Sequence, residues 1–393
     1  MALDPRRLRG NWNFPTAIWF GAGKINLLAR ACRAAGIARP LVVTDPGLAT
    51  LPMIAQSLDS LTKDGLAPAL FSAIRANPVG ANVADGVAAL KMHRADGIVT
   101  FGGGSAMDAG KAIALAAAQD EGGPTLFDFQ EGRDTPPGAV MPLPTVAVPT
   151  TAGTGSEVGR AAVIREEATG RKIIVFHPGL MAKVVISDPA LTVGLPPHLT
   201  AATGMDALAH CLEAYCSPFH NPLCDGVALE GMRLVRDHLP DAVRDGTDLV
   251  ARSQMLAAAH MGATAFQKGL GAIHAMSHPI GARFDTHHGL TNAVVMPYVL
   301  AFNRAAIDEK MARLARYLDL PGRGTSAVID WALALREAFG EPHTLATLGV
   351  TQDSLSYLAT EAAIDPCAGG TPMPLDVPAL TELFADAWAG RIR

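Results

Sequence analysis

The sequence has few cysteines, no long apolar run and no strong excess of charge, and each shortage removes a class of protein. The five cysteines (Cys32, Cys211, Cys216, Cys224 and Cys367) show neither paired spacing nor a CxxC, so a disulfide framework is not expected. No apolar stretch approaches the ~18–20 residues that a membrane span needs. Residues 1–7 carry charge with no apolar segment behind them, so no signal peptide is expected and the reduced cytoplasm is the default location. A formal net charge of −5 gives no reason to propose nucleic acid or an anionic membrane as partner.

At 393 residues the chain is too long for one ordinary core, which implies two domains. Hydrophobic residues make up 49% and charged residues 18%, the composition of a densely packed globular protein. From residue 16 to about 190, short apolar strands alternate with helices of 10–15 residues. Strands are expected at 16–20, 40–45, 67–71, 97–101 and 145–149, with helices at 25–35, 50–64 and 81–93 between the earlier ones. This is the pattern of a parallel sheet wound with crossover helices. Segments 172–176 and 183–188 look like a hairpin or paired strands. At Leu195-Pro196-Pro197-His198-Leu199-Thr200 the character changes, and helical periodicity runs from there to the end. The clearer helices are 232–239, 252–266, 305–317, 326–339, 354–363 and 378–388. The expected division is an α/β domain over 1–193 and an all-helical domain over 194–393.

The strand at 97–101 runs into Gly102-Gly103-Gly104-Ser105-Ala106-Met107-Asp108-Ala109-Gly110-Lys111. Without Cβ atoms, backbone N–H groups there can approach a phosphate, and Ser105 is expected to cap a helix whose positive end faces the same anion. The alternative is a tight strand–helix turn with no ligand, since the motif is neither GxGxxG nor a Walker loop. The strand at 145–149 carries Thr150-Thr151-Ala152-Gly153-Thr154-Gly155-Ser156-Glu157. This hydroxyl- and glycine-rich loop can hydrogen-bond a ribose or adenine, or be an ordinary polar loop.

The helical half holds a second kind of chemistry. Asp206 and His210 are four apart, on one face of a helix otherwise made of Ala, Leu, Met and Cys. A buried Asp there needs a partner. His274, His278, His287 and His288 follow, on a neighbouring helix and the turn after it, and Pro279 is expected to kink or end that helix. One carboxylate with two or three imidazoles suits iron or zinc before calcium, with a position left open for a substrate oxygen. Spacing does not choose between His274 and His278, nor between His287 and His288.

Together these motifs resemble the iron-containing (group III) alcohol dehydrogenases, of the dehydroquinate synthase-like superfamily, over nearly the whole length. The matching pieces are Phe20-Gly21-Ala22-Gly23, Val43-Thr44-Asp45, Gly102-Gly103-Gly104-Ser105 with Asp108 and Lys111, the loop from Pro149 to Glu157, the run from Ala201 to His210, and His274-Ala275-Met276-Ser277-His278-Pro279. The resemblance implies a Rossmann-like nucleotide-binding domain followed by an all-α metal-binding domain. It implies metal ligation by Asp206, His210, His274 and His288, with His278 beside nicotinamide and substrate and His287 outside the set. It places the pyrophosphate on Gly103, Gly104 and Ser105 and the rest of the cofactor on Asn77, Asp108, Thr150, Thr151, Thr154 and Lys172. Asp45 matches the acidic residue near the adenosine ribose, which favours NAD over NADP. The activity implied is NAD(H)-dependent interconversion of a primary alcohol and its aldehyde, with Fe2+ (alternatively Zn2+), in a homodimer or higher homo-oligomer. Asp206 and His274 act there through the metal, and His278 is the candidate for passing the proton outward.

Two departures bear on substrate. Many relatives carry Asn-Pro-Arg near the C-terminus, where this chain reads Gly369-Gly370-Thr371-Pro372-Met373-Pro374, just after Cys367 at a pocket-lining position. Arg160 stands where relatives carry an uncharged residue; it is either a surface ion-pair residue or a cation selecting an anionic substrate. Rival readings are a metal-independent, maleylacetate reductase-like enzyme and a dehydroquinate synthase-like cyclase. The intact ligand set argues against the first, and the lack of extra Lys and Arg around 206–288 argues against the second.

Overall fold

The computed structural model describes residues 10–12 and 16–393, so the charged segment at 1–7 lies outside the described residues. The chain divides into two compact units. The first runs to Thr151 and includes Gly155–Leu195 and Thr247–Leu256; the second holds Ala152–Thr154, Pro196–Gly246 and Ala257–Arg393.

In the first unit the elements follow in the order β1 (Gly10–Trp12), β2 (Ala17–Phe20), α1 (Leu28–Ala34), β3 (Pro40–Val43), α2 (Pro46–Ala49), α3 (Pro52–Lys63), β4 (Ala69–Phe71), α4 (Gly80–His93), β5 (Gly97–Gly102), α5 (Gly104–Ala118), β6 (Thr145–Pro149), β7 (Ala161–Arg165), β8 (Lys172–Phe176) and β9 (Val184–Ser187). Seven strands form one sheet in the order β1-β2-β9-β6-β5-β3-β4. Only β1–β2 is antiparallel; every other pair is parallel. β3, β5, β6 and β9 are buried along their whole length, as strands covered on both faces must be, which is why they read as continuous apolar runs. α3 shows the complementary pattern, burying Ile54, Ser57 and Leu61 along one stripe. The order reverses at β3: β4 lies on one side and β5, reached next, on the other. In such sheets ligands bind outside the carboxyl ends of the strands at that switch.

The expected hairpin between 172–176 and 183–188 does not form. β8 pairs antiparallel with β7, Val163 opposite Ile174, as a separate two-stranded sheet. β9 takes a buried place between β2 and β6. β7 alternates half-buried and buried residues, the period of a strand with one wet face, whereas β9 is buried throughout and fits a two-sided slot.

The second unit is helical, with α6 (Pro197–Cys216), α7 (Pro222–Arg244), α8 (Leu249–Ala265, its first turns grouped with the first unit), α9 (Ala272–Phe284), α10 (His288–Tyr317), α11 (Gly324–Ala338), α12 (Leu355–Ala363) and α13 (Val377–Ala389). α6 is buried on every side from Thr200 to Cys216, so it is the core of this unit. α10 runs through Pro297, and its first half was not expected as helix. α9 likewise continues past Pro279 to Phe284. Each proline forfeits one backbone hydrogen bond, but the residues around both are buried, Ala272–Gly281 in α9 and Thr291–Leu300 in α10, and that packing outweighs the loss. Asp285, at φ 54°, closes α9 in the left-handed conformation. Among the described residues no helix is long and apolar enough to cross a membrane.

In the last turn of α11, Arg336 is buried, donating to the Val294 carbonyl at 2.9 Å and meeting His343 Nδ1 at 3.1 Å. Glu341 is buried near it, and burial outweighs the attraction of Arg336, raising its pKa from 4.5 to about 7. A folded-state pKa above the unfolded one means that the folded protein holds the extra proton. Stability from this group is therefore full below pH 4.5 and is lost as pH rises through 7. Glu341→Gln should stabilise the protein at pH 8, by on the order of 3 kcal/mol at most, and change little at pH 4.5. Melting temperatures at the two pH values check this.

Candidate metal centre and cofactor loops

α6 places Asp206 and His210 on one face, one turn apart. α9 supplies His274, and α10 begins with His288. Asp206 Oδ1 lies 3.8 Å from His210 Nε2 and 3.7 Å from His288 Nε2. The rings of His210 and His274 stack with centroids 4.8 Å apart, and those of His274 and His288 are 5.3 Å apart. Ligand atoms of Asp206, His210 and His274 all fall within 4.8 Å of one another, and all three residues are buried. The approach of α10 to α6 depends on Gly289, where a Cβ would stand 2.2 Å from the Ala202 carbonyl oxygen and 3.0 Å from Asp206 Cβ.

This donor set fits a divalent cation. Asn292 Nδ2 donates to Asp206 Oδ1 at 2.7 Å and lies 3.3 Å from His274 Nε2 and 3.2 Å from His288 Nε2. One amide thus faces three acceptors while its own Oδ1 is buried without a partner, so the acceptors exceed the protein donors available to them. Burial pushes the His210 pKa down to about 4 against the pull of Asp206, which keeps the ring neutral as a metal ligand must be. Burial also pulls His274 down, but the hydrogen bond and charge of Glu213 outweigh it, so its pKa is raised. Glu213 Oε2 accepts from His274 Nδ1 at 2.6 Å and Oε1 accepts from the Ile273 N–H at 2.6 Å.

His278, one turn beyond His274 on α9, stacks on His288 at 5.6 Å and donates from Nδ1 to Asp365 Oδ2 at 2.8 Å. Burial pushes the Asp365 carboxyl up, yet His278 and the Cys367 N–H more than offset it and hold it below the usual range. Cys367 is buried, and its thiol belongs to a close cluster with His278 and Asp365. His287 is exposed and caps α10 through Nδ1, which accepts from Leu290 N. Glu213, Asn292 and Asp365 were not singled out from the sequence. Glu213 had a signal, because it continues the spacing of Asp206 and His210 on the same face of α6, and Asn292 follows His288 by one turn of α10.

In the first unit, the residues expected to hold a nucleotide gather at the carboxyl ends of β3, β4, β5 and β6. Asp45 ends β3 and caps α2, accepting from Leu48 N at 2.9 Å, so its carboxylate already has a structural duty. Asn77 lies in the turn after β4, and Thr150 follows β6, its N–H bonded to the Gly102 carbonyl at 3.0 Å. Thr151 abuts Gly103, and Lys172 opens β8 opposite Arg165. Thr154 groups with the second unit. Ser105 is not the cap of α5: that position is Gly103, with no side-chain cap, and the Ser105 hydroxyl donates to the Ala76 carbonyl. Glycine makes the turn, so the helix starts one residue before Ser105 and the hydroxyl is free to tie down the neighbouring loop. The uncapped N-terminus of α5 suits an anion. Asp108 is turned into the protein, accepting from Ser156 Oγ at 2.5 Å and from Val163 N at 2.9 Å, so it fastens β7 to α5. Arg160 is exposed, its guanidinium 5.5 Å over the Phe176 ring.

The first unit is a doubly wound sheet whose α5 begins without a side-chain cap, and the second is a helical unit that clusters one carboxylate with imidazoles. Residues 15–189 match the description "iron-containing alcohol dehydrogenase", and residues 200–388 match the C-terminal part of the Fe-containing alcohol dehydrogenase family. The chain is 42% identical to a 4-hydroxybutyrate dehydrogenase of Cupriavidus necator, covering 91% of this chain and 94% of that one. It is 35% identical to an NAD-dependent methanol dehydrogenase of Bacillus methanolicus, covering 96% and 99%. The solved structure of a 1,3-propanediol oxidoreductase superposes with a TM-score of 0.88 at 35% identity, over 94% of this chain and 97% of that one. The chain belongs to the iron-containing alcohol dehydrogenase family. It is accordingly an oxidoreductase interconverting an alcohol and its aldehyde.

Gly289→Ala should force α10 away from α6. The expected loss is about 1–3 kcal/mol of stability from overpacking, together with reduced divalent-metal content. Thermal melting and elemental analysis of the purified variant measure both.

Proposed function

We propose that the protein is an NAD-linked dehydrogenase of a small primary alcohol that uses Fe2+, with Zn2+ as the alternative ion. The convergence of Asp206, His210, His274 and His288 carries this reading. A divalent ion held by these four residues supplies Lewis acidity that lowers the pKa of the alcohol or polarises the aldehyde carbonyl. The nicotinamide supplies the hydride acceptor, and the protein fixes its position. In this proposal residues 1–193 are the nucleotide-binding domain and 194–393 the metal-binding catalytic domain. Gly103, Gly104 and Ser105 take the pyrophosphate through the first turn of α5. Asn77, Thr150, Thr151, Thr154 and Lys172 hold the remainder, with Asp108 acting only through the loop that it fastens. Asp45 turns its second oxygen to the adenosine ribose.

His278 moves the proton. Its Nδ1–H is held by Asp365, which leaves Nε2 to accept the proton released by the alcohol and pass it outward. Assembly as a homodimer or higher oligomer, in the cytoplasm, completes the proposal.

The test is NADH oxidation after reconstitution with Fe2+ or Zn2+, against neutral and carboxylate-bearing aldehydes. A four-carbon semialdehyde belongs in the panel because the C. necator relative is named for 4-hydroxybutyrate. Arg160→Leu reports whether Arg160 recognises the carboxylate, and a selective rise in KM for the anionic aldehyde is the expected sign. His274→Ala should lose metal and turnover together; full activity in metal-free His274→Ala protein overturns the proposal.

Asp45→Ser keeps a capping oxygen for α2 but removes the charge. It should improve the ratio of NADP to NAD use by about tenfold, since a carboxylate repels a 2′-phosphate. Steady-state kinetics with the two cofactors decide this.

A further inference from the structure

Glu213 is a buried carboxylate that none of the roles above uses. Its ion-pair partner among the described residues is His274, with no lysine or arginine against it. Both its oxygens are engaged, Oε2 by His274 Nδ1 and Oε1 by the Ile273 N–H, each at 2.6 Å. These bonds grip the ligand ring and the backbone immediately before it. The close approach requires Gly271, where a Cβ would stand 2.9 Å from Glu213 Oε1.

We propose that Glu213 is a positioning residue of the metal site, holding His274 as the tautomer whose Nε2 is a free lone pair toward the ion. A carboxylate accepts and does not donate, so the proton of the neutral ring resides on Nδ1. The ring cannot rotate without breaking that bond. The inference rests on the metal reading given above and concerns a residue outside the ligand set.

Glu213→Gln separates this role from packing. The amide has the same size but cannot accept at both ends. If its oxygen faces His274, its NH2 meets the Ile273 N–H. If its NH2 faces His274 Nδ1, the ring proton moves to Nε2 and ligation fails. Affinity for Zn2+ and Co2+ is measured on chelator-treated protein by competition with a chromophoric chelator. Melting of the metal-free form and NAD binding serve as controls. Glu213→Gln and Glu213→Ala should both weaken metal binding about 10–100-fold, while Glu213→Gln leaves the metal-free melting temperature and NAD binding near wild type. A packing role predicts instead that Glu213→Gln resembles wild type and only Glu213→Ala suffers. Binding by Glu213→Gln within twofold of wild type overturns the inference. If Glu213→Gln does not fold, Gly271→Ala decides: it keeps every ligand yet crowds Oε1, and unchanged affinity in that variant is equally fatal. Wild-type protein that takes up no divalent ion overturns the metal reading and this inference together.

Discussion

The second unit depends on burying two carboxylates, Asp206 and Glu213, in a helix with no wet face. Among the described residues the ion-pair partners of both are histidines, and a buried carboxylate that loses its partner costs several kcal/mol. Their neighbours are imidazoles, which burial keeps neutral at His210. At His274 the hydrogen bond and charge of Glu213 outweigh burial and raise the pKa. Two close approaches hold the set together: Gly289 lets α10 close on α6, and Gly271 lets Glu213 reach α9. The proline-containing segments of α9 and α10 stay helical because they are packed where the ligands are needed.

The first unit solves the opposite electrostatic problem. Its parallel strands end on one edge of the sheet, where the uncapped N-terminus of α5 presents partial positive charge. The side chains near it mostly brace the loops. Ser105 ties to Ala76, and Asp108 ties to Ser156 and Val163. An anion would then be held largely by backbone, which explains why this part of the chain is written in glycine and small hydroxyl residues rather than in lysine and arginine. One chain thus carries an uncapped helix start of partial positive charge and a buried cluster of carboxylate and imidazole acceptors.

How much of this was legible in the sequence follows from the range of each interaction. Alternation of strand and helix is local and was readable, as were Asp206 and His210, whose spacing is one helical turn. The pairing of β8 with β7 rather than β9 was not, because both alternatives are apolar and only the slot between β2 and β6 decides. Ser105 looked like a cap because residue type signals caps, yet the helix starts one residue earlier. The first half of α10 was hidden by Pro297, whose cost is local while the packing that offsets it is not. Asp365 had no local signal, since its partner lies 87 residues away; Asn292 stands one turn from His288, but its bond to Asp206 spans 86 residues.

His274 and His278 show what spacing leaves open. They sit one turn apart on α9, chemically identical, both buried, and either could be a ligand by sequence position. What differs is the carboxylate behind each ring. Glu213 grips His274 from α6, the helix that carries Asp206 and His210, and so aims its Nε2 into that set. Asp365 grips His278 from the turn that holds Cys367, beside the ring of His288. In both cases the carboxylate fixes the proton on Nδ1 and leaves Nε2 for function. The direction from which that carboxylate arrives sets one ring against His210 and the other against His288. An imidazole's role here is set by its outer partner, which is why a list of histidines, however well spaced, could not assign it.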